Sequence, residues 1–208
     1  MRTFTLILSL LFITTANAQT FEKGNHVIDA GIGFGLWGSI STDDDTTSSG
    51  DASGAGIYSL RYQYAISNKL GIGAQYGNYN YIEGDSSGVA RVFSHAFGAH
   101  VGWHLLRGDK SSLEIGITPG YATIKFESND PNDNAELHGG GFYMQAGLFW
   151  RIYFGKHIGI RFGANYANYN YQIKGGTLNG QEWVEPPEGW PKIKLSGGEV
   201  ETGLVIKI

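Results

Sequence analysis

From about residue 26 to the end of the chain, apolar positions alternate with glycine or polar positions in eight segments. A period of two is typical of β-strands whose two faces meet different surroundings. The segments predicted as strands are 26–37, 55–66, 69–82, 91–106, 112–126, 139–155, 158–173 and 195–208. One face of each is aromatic and aliphatic, whereas the other is glycine-rich, polar or charged. The pattern therefore predicts an all-β protein with one apolar and one polar sheet face.

The connections between these segments alternate in length. Three are tight turns, near 67–68, 107–110 and 156–157, and four are longer and polar, at 38–54, 83–90, 127–138 and 174–194. Strict alternation of this kind is typical of membrane barrels, which keep short turns at the periplasmic side and long loops outside. We therefore predict an eight-stranded antiparallel up-and-down transmembrane β-barrel with both termini in the periplasm.

Two segments depart from simple alternation. Near Asn78 the phase slips, and a bulge there would let Tyr79 and Tyr81 take the outward positions. Pro119 falls on the outward phase of the fifth segment, where it would cost one ladder bond unless it lies at a bulge. Segments 69–82 and 157–173 also resemble each other (GIGAQYGNYNYI and GIRFGANYANYNYQI), which favours a duplicated four-strand unit.

A soluble lipocalin-like barrel is the rival interpretation, because it reverses the faces and places the apolar side chains inside. Tyrosine and tryptophan near the strand ends fit the aromatic girdles of a membrane barrel better. The 32 glycines also suit a narrow barrel, because a glycine leaves room for large neighbours in the lumen. With a net charge of −4 and no basic stripe, nucleic acid is not an expected partner.

Residues 1–18 read as a signal peptide, with Arg2, an apolar run and the cleavage motif Ala16-Asn17-Ala18. The apolar run is shorter than the about 20 residues that a membrane helix needs. We therefore expect export and a mature barrel domain at 19–208. The chain has no cysteine, which excludes a disulfide framework.

Acidic and basic residues on the polar face are predicted to meet inside the barrel. They are Asp29, Arg61, Glu114, Arg151, Arg161, Glu199, Glu201 and Lys207. An eight-stranded barrel is narrow enough for side chains to fill it, and charges there must be paired. The favoured interpretation is a salt-bridge network that closes the lumen, and the alternative is a narrow pore lined by the same charges.

No residue pattern indicates catalysis, a cofactor or a firm metal site. His100 and His104 share the inward face, but a spacing of four strand residues spans about 13 Å, too far for one metal ion. Ser94 and His95 are neighbours and point to opposite faces, so they cannot form a nucleophile–base pair. The first loop contains a cluster of carboxylates, and calcium binding there stays an alternative although their spacing is not that of an EF-hand. These residues are Asp43, Asp44, Asp45 and Asp51.

The loop 174–194 contains Trp183 and Trp190 among three prolines. These tryptophans either contact an extracellular ligand or fold back over the barrel rim, and the sequence leaves both open. The other expected partners are outer-membrane lipid and, during biogenesis, the barrel assembly machinery.

The signal-like start, eight strands, loop alternation and terminal strand ETGLVIKI together resemble the small eight-stranded outer-membrane barrels of the OmpA/OmpX type. The resemblance covers the whole mature chain and is one of pattern. It implies location in the outer membrane of a Gram-negative bacterium and a non-enzymatic role in the envelope, adhesion or host contact. A narrow channel for small solutes is the second hypothesis, and a lipid A-modifying enzyme the third. This chain ends in Ile208, whereas such barrels often end in Phe, the position that the assembly machinery reads, so the chain departs from the family pattern there.

Overall fold

The computed structural model describes residues 20–43, 46–49, 53–82, 90–130, 133–185 and 189–208. Its strands are β1 (His26–Asp43), β2 (Thr46–Ser49), β3 (Ser53–Ala65), β4 (Leu70–Ile82), β5 (Ala90–Arg107), β6 (Ser111–Asp130), β7 (Asp133–Tyr153), β8 (Ile158–Leu178), β9 (Gln181–Glu182) and β10 (Lys192–Lys207). No helix among these residues is long and apolar enough to cross a membrane.

The eight long strands form a closed ring. Each pairs antiparallel with the next long strand along the chain, and β10 pairs with both β8 and β1. Closure leaves none of the eight long strands with an unpaired edge along the barrel wall, which is what a sheet surrounded by lipid requires. The predicted eight-stranded up-and-down barrel is therefore confirmed. We call the end with the tight turns, His26 and Lys207 the terminal end, and the opposite end the loop end.

The two faces of the ring differ as the alternation predicts. Outward side chains such as Ile32 and Val200 are about 60% exposed, whereas inward ones such as Gln63 are fully buried. We call the outward apolar zone the apolar belt. It includes Ile32, Phe34, Leu36, Tyr58, Leu60, Phe97, Val101, Trp103, Ile115, Ile117, Tyr121, Phe142, Met144, Leu148, Trp150, Phe162, Tyr166, Val200 and Leu204.

The strands are longer at the loop end than predicted. The predicted loop 127–138 is mostly strand, because β6 runs to Asp130 and β7 begins at Asp133. Similarly, β1 continues to Asp43 and β8 to Leu178. Phe126 and Leu137 still pack against the buried interior, but the sequence between them is polar apart from Pro131 and Ala135, so its composition resembles a loop while the backbone ladder continues. Lys125 in this extension lies 2.8 Å from the carboxylates of both Glu127 and Glu136.

The predicted bulge in β4 is wrong. The pairing of β3 with β4 is regular throughout, and Tyr79 and Tyr81 continue the inward phase as buried side chains. Pro119 does not lie at a bulge either, since β5 and β6 keep one register on both sides of it, although the pairing is interrupted there. A register shift does occur near Leu105, at the terminal end of β5.

The two similar segments occupy opposite sides of the ring. β4 and β8 are four strands apart in a ring of eight, and both contain the sequence Asn-Tyr-Asn-Tyr, at 78–81 and 168–171. In each copy the tyrosines point inward. The rings of Tyr79 and Tyr169 meet with centroids 5.6 Å apart.

Candidate functional site

The lumen contains most of the residues predicted to carry function. Seven of the eight predicted acids and bases are 5% exposed or less, and they are Asp29, Arg61, Glu114, Arg151, Arg161, Glu199 and Glu201. We call these seven, with the polar side chains that contact them, the charge layer. Lys207 lies apart, half-buried at the terminal end, where its Nζ is 5.4 Å from the centroid of the Tyr153 ring.

Arg151 on β7 bridges two carboxylates from different strands. Its Nη2 and Nε donate to Asp29 on β1, at 2.8 and 3.3 Å, and its Nη1 donates to Glu114 on β6 at 2.7 Å. All three side chains are at most 1% exposed. A buried guanidinium that donates to two carboxylates is held by charge-assisted bonds, which are stronger than neutral ones. This bridge therefore ties β1, β6 and β7 together across the lumen.

Glu114 gathers further partners. Gln63 Nε2 donates to it at 2.9 Å, and the Nε2 atoms of His100 and His104 lie 2.8 and 3.0 Å from its two oxygens. Gly102 makes this approach geometrically feasible, since a Cβ there would lie 2.5 Å from Glu114 Cδ. The two histidines thus contact one carboxylate and not a shared metal position.

Arg161 and Glu201 form the second ion pair of the layer, between β8 and β10. Arg161 Nη2 donates to Glu201 at 2.7 Å and to Ser59 Oγ at 3.0 Å. Asn165 Nδ2 donates to the other oxygen of Glu201 at 2.6 Å. Both oxygens of this carboxylate are therefore satisfied, which a buried charge requires.

Arg61 Nη1 lies 4.0 Å from Glu114 Oε1, and the connection from Arg61 to Glu199 runs through neutral amides. Arg61 donates to Gln75 Oε1 from Nε and Nη2, at 3.0 and 2.8 Å, and its guanidinium lies 3.7 Å above the centroid of the Phe149 ring. Gln75 donates to Gln145 at 2.5 Å, and Gln145 in turn donates to Glu199 at 2.6 Å. The amides extend the network across the lumen where the charges themselves do not touch.

Above the charge layer, toward the loop end, lies an aromatic layer. It contains Trp37, Ile57, Tyr79, Tyr81, Val92, Ile124, Tyr143, Tyr169, Tyr171, Ile173 and Leu195, all buried. The rings of Tyr143, Tyr169 and Tyr171 stack in a row, with centroids 5.2 and 5.6 Å apart. Trp37 packs edge-on against Tyr169 at 5.3 Å. The upper lumen is therefore packed like a protein core.

Trp183 and Trp190 cover the aromatic layer at the loop end. Their rings pack edge-on with centroids 5.3 Å apart, and both are half-buried against that layer. The structure thus shows the folded-back arrangement of the two alternatives that the sequence left open. The apolar faces of these tryptophans contact the barrel.

A terminal plug closes the opposite end. Phe21 is 1% exposed and stacks on His104 with ring centroids 3.5 Å apart. Thr20 donates to the carbonyl of Ser111 from its hydroxyl and to that of Gly108 from its backbone nitrogen. The other buried apolar members of this plug are Val27, Ala65, Tyr153 and Val205.

Ser94 and His95, the neighbouring residues considered as a nucleophile and a base, do not contact each other in the structure. Ser94 Oγ lies inside, 2.7 Å from Tyr171 Oη, while His95 points outward to Tyr76 Oη at 2.8 Å. Within the described ranges, no three His, Cys, Asp or Glu side chains are arranged to bind a metal ion. The predicted loop carboxylates Asp44, Asp45 and Asp51 lie outside the described residues.

Sequence reasoning missed several members of these layers. Gln63, Gln75, Gln145 and Asn165 carry the hydrogen bonds between the charges, and their inward phase was the available signal. Phe21 precedes the first strand, so no periodicity marks it. Its only signal is that it is a lone aromatic residue three positions after Ala18, where cleavage is predicted.

Comparison with known proteins agrees with this architecture. Residues 4–184 match the model of the outer membrane protein beta-barrel domain. The structure of the outer membrane protein OprG from Pseudomonas aeruginosa is similar, with 13% identity, a TM-score of 0.62, and coverage of 92% of this chain and 99% of that chain.

Two further solved structures match this chain with lower scores. Ail, the attachment invasion locus protein of Yersinia pestis, has 14% identity, a TM-score of 0.49, and coverage of 89% of this chain and 99% of its own. Neisserial surface protein A has 11% identity, a TM-score of 0.49, and coverage of 89% and 98%. No curated protein sequence matches significantly. The closed ring, its apolar outer face and the domain match together show that this chain belongs to the outer membrane protein beta-barrel domain family of Gram-negative bacteria.

Proposed function

We propose that this protein is a sealed barrel that serves the outer membrane as a structural element and contacts its surroundings through the hairpins at the loop end. In this proposal, a cleaved signal peptide directs export, the terminal end faces the periplasm, and the loop end faces the medium. The orientation is supported by the short turns at the terminal end, because such barrels keep short turns on the periplasmic side.

The observation that carries the proposal is the filling of the lumen at three successive levels. The terminal plug, the charge layer and the aromatic layer each contain buried side chains from strands on several sides of the ring. An ion that crossed the charge layer would have to separate Arg151 from Asp29 or Glu114, and either step leaves a buried charge unpaired. Such a separation costs several kcal/mol, which argues against the narrow channel.

The hairpin formed by β6 and β7 supports a role in contact. It continues past Tyr121 to Asp130 and Asp133, and the bridge from Lys125 to Glu127 and Glu136 joins its two strands. A paired hairpin loses less conformational freedom on binding than a flexible loop of equal length. A partner would therefore meet a surface that is already ordered.

Electrical recording in planar bilayers tests the sealed lumen. The purified full-length barrel is expected to give no steady openings at low voltage, while a large porin recorded in the same bilayers conducts. Heat-modifiable migration on SDS gels establishes beforehand that the inserted protein is folded. Steady openings from folded protein would overturn the proposal and favour the channel.

A further inference from the structure

The apolar belt is interrupted on β10 by a polar side chain, that of Thr202. Thr202 is exposed on the outward face, between Val200 and Leu204 of the same strand, and the strand register places it opposite Ile32 on β1 and Phe162 on β8. All four of these neighbours are exposed apolar residues. Among the outward residues of the belt that the structure describes, no other has an aliphatic hydroxyl or an amide. Thr202 therefore places a hydroxyl on the part of the wall that faces hydrocarbon.

The Thr202 hydroxyl has no hydrogen bond to any other group in the described part of the chain. Water is absent from the bilayer core, and acyl chains neither donate nor accept hydrogen bonds. An unpaired hydroxyl in such surroundings costs free energy. A partner that supplies a second hydroxyl at the same depth would remove that cost.

The same residue lies in a groove on the outer wall, along the seam where β10 pairs with β1. The groove has a volume of about 430 Å³ and is lined by Ile32, Gly33, Phe34, Val200, Glu201 and Thr202. Val200 and Thr202 have shorter side chains than Ile32 and Phe34 on one side and Phe162 on the other. We call this depression, with β10 as its floor and β1 as its ridge, the β10 groove.

A second copy of the chain fits both features of this face. Copies of one chain insert into the membrane in the same direction, so Thr202 lies at one depth in all of them. A two-fold axis along the membrane normal can therefore bring two Thr202 hydroxyls together, and each hydroxyl can both donate and accept. The same axis places the β1 ridge of one copy, with Ile32 and Phe34, beside the β10 groove of the other. An acyl chain could fill the groove but would leave the hydroxyl unpaired.

We propose that the β10 groove is the interface of a homodimer in the membrane, in which the Thr202 hydroxyls of the two copies hydrogen-bond to each other. Lipid removes most of the hydrophobic driving force between membrane segments, so close packing and hydrogen bonds between them supply the association. The interface goes beyond the proposed function. It depends neither on the sealed lumen nor on which end of the barrel faces the medium.

Disulfide trapping in isolated outer membranes tests the geometry. The chain has no cysteine, so a Thr202→Cys variant has a single thiol, at the proposed two-fold axis. Disulfides form between residues whose Cα atoms are about 4.4–6.8 Å apart. Oxidation with copper phenanthroline should therefore convert this variant to a dimer of twice the mass, which a reductant returns to monomer.

Ala99→Cys is the matched control, because Ala99 is exposed on the outward face of β5, on the opposite side of the ring. This variant should stay monomeric under the same oxidation. Equal cross-linking of the two variants would indicate random collision and would overturn the proposal. Absence of a dimer for Thr202→Cys, or a cross-linked product containing a different protein, would overturn it as well.

Sedimentation equilibrium of the purified full-length barrel in density-matched detergent tests the role of the hydroxyl. The wild type is expected to show a reversible monomer–dimer equilibrium. Thr202→Val keeps the shape of the side chain and removes its hydroxyl, so it should dimerise roughly three- to tenfold more weakly, as expected for one hydrogen bond between membrane segments. Thr202→Trp fills the β10 groove and should abolish the dimer, whereas Ala99→Trp should associate like the wild type.

Heat-modifiable migration on SDS gels establishes that each variant is folded before these measurements. A wild type that is monomeric at every concentration would refute the homodimer. Equal dimerisation of the wild type and Thr202→Val would refute the hydrogen bond, and equal dimerisation of the two tryptophan variants would refute the β10 groove as the interface.

Discussion

Replacing Arg151 with leucine is expected to lower the free energy of unfolding by about 3–5 kcal/mol, because Asp29 and Glu114 would then lose the cation that both contact. Leucine fills part of the space but leaves two carboxylates in a lumen where side chains exclude water. Urea titration of the barrel in detergent micelles, followed by tryptophan fluorescence and heat-modifiable migration, measures this loss.

Two further variants separate the charge effect from the loss of side-chain packing. Arg91→Leu removes an exposed arginine from the outer face of β5, and it should change stability by no more than about 0.5 kcal/mol. The triple replacement Asp29→Leu, Glu114→Met and Arg151→Met should recover most of the loss, because a buried ion network is often exchanged for apolar residues at little cost. A triple variant as unstable as Arg151→Leu would contradict the assignment of the loss to unpaired charge.

Trp37→Ala is expected to produce a loss of similar size, about 3–5 kcal/mol, because it leaves a cavity in the aromatic layer. Trp37 is 1% exposed and lies between the rings of Tyr79, Tyr81 and Tyr169. The same urea titration measures the change. The matched control is Trp103→Ala on the apolar belt, where the side chain is 49% exposed and detergent or lipid fills the space. If both variants lost equal stability, the upper lumen would not be packed as a core.

These experiments address different levels of one interior. The Arg151→Leu variant tests the charge layer, in which hydrogen-bonded ion pairs connect strands across the ring. The Trp37→Ala variant tests the aromatic layer, in which close packing of side chains connects them. Together with the bilayer recordings, they relate the sealed lumen to the stability of the barrel. A barrel in which neither layer contributes to stability would have a lumen free to open.

The sequence predicted all eight long strands, because lipid outside and packed polar groups inside impose opposite demands on alternate residues. It was less accurate at the loop end. There β6 and β7 continue through 127–138. Between Phe126 and Leu137 the sequence is mostly polar, so the alternation on which the prediction depended is lost although the backbone pairing continues. The outward prediction for Tyr79 and Tyr81 was wrong for a related reason. A tyrosine side chain suits either a lipid-facing girdle or a packed lumen, so its type does not indicate the face.

Apart from Tyr79 and Tyr81, the sequence by itself determined which strand side chains point into the lumen, since the phase of each strand is a local property with a period of two. Only the tertiary structure decided which of them meet. Arg151 and Asp29 are 122 residues apart, and Glu201 meets Ser59 across 142 residues, because closure of β10 onto β1 fixes a register that no single strand contains. For the same reason, only the tertiary structure placed Phe21 in the opening at the terminal end, where its ring stacks on His104.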